Sequence, residues 1–178
     1  MTDNKPGSTN AESISAAIDK GTGLVCALLF GAMTVIVILG VFFRYVLNAP
    51  LNWVEETSRY LMIWGASLSI SLGISAGEHV GLTIILDGLK KTGTRKAMAV
   101  FINFFVLAFL LFMFFYSLST TIEARTQATQ ALGISMFLPR LAVPVAMGIS
   151  AIQEVLVSIM VIQSPEGRRT QSIGYIDI

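Results

Sequence analysis

Four long apolar runs separated by short polar connections dominate the chain, at residues 23–43, about 57–76, 97–122 and about 138–162. A helix crosses the hydrocarbon core of a bilayer with roughly 20 mostly apolar residues at about 1.5 Å rise each, and every run is long enough. The pattern therefore predicts an all-α integral membrane protein with four transmembrane helices. In the fourth run Pro139 suits a helix N-terminus, whereas Pro144 predicts a local kink. The segment HVGLTIILDGL at 79–89 is too short to span; Val80, Ile84 and either Leu82 or Ile85 to Leu89 can share a face while Asp87 stays wet, which predicts an interfacial amphipathic or re-entrant helix after the second span. The connection 120–133, polar and rich in helix formers up to Gly133, predicts that the third helix projects outward. Residues 1–20 read as a flexible tail whose second half, with Ile14 and Ile18 one turn apart, has the pattern of a surface helix. Residues 164–178 form a second tail, leaving 21–163 as the membrane domain. No internal repeat of the kind that marks a complete transporter is evident.

Charge fixes the expected orientation. Lys5, Lys20, Lys90, Lys91, Arg95, Lys96, Arg168 and Arg169 fall on one side, against Arg44, Arg59, Arg125 and Arg140 on the other. Positive residues are retained on the cytoplasmic side, so both termini are expected there. Composition agrees with a membrane protein: 54% of residues are hydrophobic and 13% charged, with a mean hydropathy of +0.73. A net charge of +1 with no concentrated basic face gives no case for nucleic acid. Cys26 is the single cysteine, which excludes intrachain disulfides, paired-thiol redox chemistry and cysteine-rich metal sites.

The stretch NWVEETSRYLMIW at 52–64 places two carboxylates and a guanidinium at the entrance of the second run. On a helix Glu55 and Arg59 are i, i+4 and Glu56 and Arg59 are i, i+3, so either carboxylate reaches the guanidinium. Arg44, ending the first run on the same side, completes a layer of two positive and two negative charges. Two readings follow: the cluster caps a helix at headgroup level with Arg59 snorkelling outward, or it forms an internal clamp or a docking patch for another membrane subunit. Trp53, Tyr60 and Trp64 lie along one stripe as interfacial aromatics. Gly65, Ser69 and Gly73 permit close helix contact.

Deeper in the chain, Glu154 and Asn103 are either interhelical polar contacts or, for Glu154, a proton or cation site. His79 lacks the partners a metal needs and is expected to make an interfacial hydrogen bond. No catalytic triad, phosphate-binding loop or metal motif appears, so neither an enzyme nor a cofactor is expected.

The order Phe43-Arg44-Tyr45, then Pro50-Leu51-Asn52-Trp53, Glu55-Glu56, Arg59-Tyr60, Trp64 and His79 resembles the small membrane subunit of tripartite ATP-independent periplasmic (TRAP) transporters, over roughly residues 20–163. The resemblance implies an inner-membrane protein that associates with a large membrane subunit containing the substrate and sodium sites, supplied with an organic acid by a periplasmic substrate-binding protein. It carries over Arg44, Glu55, Glu56 and Arg59 as the charged cluster. One departure is that Ser75-Ala76-Gly77-Glu78 precede His79 where the family often has a basic residue. The rival reading is a self-contained, dimeric, proton-coupled transporter using Glu154.

Overall fold

The computed structural model describes residues 10–76 and 92–163, and every long element in them is helical. α1 spans Asn10–Tyr45, α2 Asn52–Ala76 and α3 Thr92–Glu123, which runs into a 3-10 turn, Ala124–Thr126. The short α4, Phe137–Arg140, is followed by α5, Ala142–Gln163. His79, the stretch 79–89 and the C-terminal tail lie outside the described residues.

Three helical stretches are long and apolar enough to cross a membrane: Asn10–Tyr45, Ala97–Thr126 and Phe137–Ile162. α2 is long enough, but Glu55, Glu56, Arg59 and five serines dilute its apolar character. Its hydroxyls reduce that cost by bonding back along the helix, as Ser69 does to the Ala66 carbonyl at 2.8 Å and Ser75 to that of Leu72 at 3.0 Å. α2 also packs along both α1 and α5.

The helices are unequally enclosed. α1, α2 and α5 touch one another, whereas α3 packs along α5 alone among the described long helices. One apolar cluster joins Cys26 of α1, Leu68 of α2 and Ala146 of α5. A second joins Ile74 of α2 and Ala99 and Leu110 of α3 to Met147, Ala151 and Val157 of α5. α5 therefore stands at the centre: 44% of its apolar window is buried, against 6% for α1 and 11% for α3.

Glycine lets α1 and α2 approach closely. A Cβ on Gly40 would lie 2.5 Å from Val54 Cγ1, and one on Gly65 would lie 2.9 Å from the Phe30 ring. Of the predicted small-residue stripe only Gly65 serves this purpose, since Ser69 is exposed and nothing lies within 4 Å of a Cβ on Gly73.

Residues 10–20 depart from expectation. They are neither a tail nor a surface helix but the first turns of α1, which at 36 residues is about 54 Å long. The turn after α1 is closed by Asn48 in the left-handed conformation, φ 49°, with Pro50 barring further helix. The connection 127–136 also differs from the projecting helix expected. Gln127 is extended, Ala128 and Ser135 form an antiparallel bridge, and Gly133 turns the chain at φ 65°. Helix propensity here yields to turn chemistry, because Thr129 supplies both its N–H, to the Ile134 carbonyl at 2.8 Å, and its hydroxyl oxygen, to the Ile134 N–H at 3.2 Å.

Pro144 falls in the first turn of α5 and its effect is visible one turn earlier. With no N–H it cannot bond the Arg140 carbonyl, and the helix is interrupted at Leu141. The Thr121 hydroxyl of α3 lies 3.3 Å from that orphaned oxygen and 2.7 Å from the Ser117 carbonyl, so its proton is shared between them.

Candidate functional site

Two polar regions stand at opposite ends of the bundle. At the end where α2 begins, Glu55 and Glu56, about 100° apart around the helix, turn to different partners. Neither pairs with Arg59. Glu55 reaches back across the turn to Arg44, Oε1 to Nη2 at 3.2 Å, with both side chains more than half exposed. Such a pair contributes at most about 1 kcal/mol. Arg59 is exposed and makes no ion pair among the described residues.

Glu56 faces the other way, toward the 127–136 loop. Its Oε1 accepts the Tyr60 hydroxyl at 2.5 Å, and its Oε2 accepts the backbone N–H groups of Ala131 at 2.5 Å and Leu132 at 3.1 Å. Two successive N–H groups converging on one oxygen make an anion-binding nest, filled here by a carboxylate 75 residues away in sequence. The Tyr60 hydroxyl above all, then the Ala131 N–H, the Thr129 hydroxyl and the Leu132 N–H, hold the Glu56 carboxyl below the usual carboxylate range, against the opposing effect of desolvation. Beside the loop, the Arg125 guanidinium sits 4.9 Å from the centre of the Phe137 ring. Trp53 is exposed, while Tyr60 and Trp64 are half-buried, Trp64 against the Cys26–Leu68–Ala146 cluster.

At the other end Gln153 of α5 is fully buried. Its Nε2 donates to Ser15 Oγ at 2.5 Å and to Asp19 Oδ1 at 3.1 Å. Ser15 and Asp19 are i, i+4 on α1, so one face offers an acceptor for each of the two N–H bonds of the amide. The described beginning and end of the chain thus meet at one end of the bundle. Asp19 precedes the apolar run of α1, so the contact brings Gln153 alongside the polar first turns of that helix, with Glu154 adjoining it in sequence. Glu154 is 1% exposed, and Asn103 is buried on α3. Among the described residues no group of three or more His, Cys, Asp or Glu could hold a metal ion.

Residues 33–163 match the family model described as "Tripartite ATP-independent periplasmic transporters, DctQ component". The chain belongs to the DctQ family. The DctQ match takes in the whole charged end, the loop and all of α5, but begins after Ser15 and Asp19. A Haemophilus influenzae protein named "Putative TRAP transporter small permease protein" is 33% identical over 81 residues, covering 46% of this chain and 50% of the relative. The chain thus spans about half the length of this curated relative. DctQ proteins are components of transporters, and membership agrees with the apolar helices in marking this as a membrane protein.

Proteins of this kind were legible in the charged motif, but the partners of its side chains were not. Ser15, Asp19 and Gln153 escaped notice as a unit because they stand 134 and 138 residues apart. The available signal was two acceptors at i, i+4 ahead of a span and an amide inside another.

Proposed function

We propose that this chain is the small membrane subunit of a sodium-coupled TRAP uptake system in the bacterial inner membrane. It supports a large permease subunit that moves an organic acid delivered by a periplasmic binding protein. α2 provides, over about 57–76, the second of four spans, both termini are cytoplasmic, and the Arg44–Glu55 and Glu56–loop end faces the periplasm. The observation that carries the reading is the DctQ match over 33–163. The distribution of lysine and arginine supports the orientation. Exposed apolar faces support a partner role: Leu24, Leu28 and Ile38 on α1, and Phe104, Phe112 and Phe115 on α3, are each more than 60% exposed.

The test is expression of the tagged chain with the permease encoded beside it, followed by purification in mild detergent. A stable complex whose sodium-dependent uptake requires this chain is expected. Recovery of an active homodimer that transports without a larger partner would overturn the reading.

The rival draws on the near-complete burial of the Glu154 carboxylate. Glu154→Gln separates the two: uptake by the complex stays largely intact if the chain is a supporting subunit, and proton coupling is abolished if Glu154 is the transport site.

A further inference from the structure

The contact between Glu56 and the 127–136 loop joins a helix of the bundle to a loop whose stem is closed by its own bonds, among them Ile134 N–H to Thr129 Oγ1 and the Ser135 hydroxyl to the Arg125 carbonyl, and whose tip is held by Glu56. Within the loop the described backbone bonds are those of Thr129, Gly133 and Met136, with carbonyl acceptors at 2.8, 3.2 and 2.8 Å. Ala131 and Leu132, at its tip, give their N–H groups to Glu56. The carboxylate is in turn fixed by Tyr60, one turn further along α2. An ionised carboxylate accepts both N–H bonds and the hydroxyl at once; a protonated one loses acceptor capacity on the oxygen that takes the proton.

We propose that Glu56 is the latch of this loop: ionised, it holds the tip of 127–136 against the start of α2, and neutralising it releases the tip while the helices stay packed. The inference does not depend on any partner, since every group in it belongs to this chain. The other charged side chains at this end do not replace Glu56. On its own helix Glu55 is engaged by Arg44 of α1, and Arg59 points to solvent. Around the loop, Arg125 lies over Phe137, and Glu123 and Arg140 are exposed at its two ends. The lowered ionisation range of Glu56 is what a carboxylate held by the Tyr60 hydroxyl and by donors of the loop should have.

Hydrogen exchange on the full-length chain in detergent or lipid nanodiscs tests this, with its partner subunits present if it needs them. In Glu56→Ala the segment 127–136 should exchange at least about tenfold faster, with α2 and α5 unchanged, because local opening and global unfolding separate in this measurement. Tyr60→Phe should move the same segment in the same direction by a smaller factor, and Glu55→Gln should not move it. Wild-type exchange in 127–136, or acceleration of all helices equally, would overturn the latch. If Glu56→Ala does not fold, the wild type decides. After correction for intrinsic rates, protection of 127–136 should fall with acid only below the pH at which an ordinary carboxylate titrates, with α2 and α5 still protected; loss that begins within or above the ordinary carboxylate range, or that the helices share, would overturn the proposal.

Discussion

The two ends of the bundle each tie together parts of the chain that are far apart, and each does so with one side chain serving more than one partner. At the α1–α5 end the neutral Gln153 amide is buried and its acceptors, Ser15 and Asp19, stand on a rigid helix. At the α2–loop end the Glu56 carboxylate lies near solvent and its donors are backbone N–H groups of a short loop. Rigidity on both sides makes the first contact a register pin, since α1 cannot slide along α5 without losing both bonds. In the second only one side is rigid, so the contact decides the conformation of the loop and leaves the helices indifferent.

The largest expected effect is at the pin. Gln153→Leu removes the donors that Ser15 and Asp19 share and leaves the buried Ser15 hydroxyl without its Gln153 bond, at a cost of about 1–3 kcal/mol. It should lower the thermal unfolding midpoint and raise exchange in residues 10–20; an unchanged midpoint would reduce the pin to an incidental contact. Acid should act at the opposite end. The folded Glu56 carboxyl ionises at lower pH than in the unfolded chain, so its stabilisation is complete above the ordinary carboxylate range and is lost as pH falls through the lowered value. Exchange in 127–136 should therefore rise with acid before that in 10–20, and simultaneous loosening would erase the distinction. Thr121→Val tests the seam of α3, removing the hydroxyl that stands in for the N–H Pro144 lacks. About 0.5–1.5 kcal/mol is expected, read as faster exchange across 137–145. Smallest is Arg44→Ala, below about 1 kcal/mol and diminishing with added salt, since the Glu55 pair is exposed.

Periodicity and length made the helices legible, because hydrophobic runs of this size have few alternatives to a helix in a membrane. The charged cluster was legible as a set of residues. Its pairing was not, because i, i+3 and i, i+4 spacing states only what one helix permits, whereas Glu55 and Glu56 each found a partner from elsewhere in the chain. The 127–136 connection was misread as helix for a related reason. Its propensities favour one, but Thr129 bonds its own turn and Gly133 takes a left-handed conformation, both of which depend on local geometry more than on composition. Continuity of α1 through residues 10–20 was hidden by polarity: Ser15 and Asp19 look like tail residues until Gln153 appears opposite them.

The single seam of α3 also sets an order in time. A ribosome delivers this chain N-terminal end first, so α1 and α2 can pair as soon as both are in the membrane. α3 then follows, yet the one long helix it touches, α5, has not been made. For that interval it lies in the membrane with none of the described long helices yet made packed along it. Its sequence from Ala97 to Ile122, free of charge and crowded with phenylalanine, is suited to waiting there, and the arrival of α5 closes the bundle from the centre.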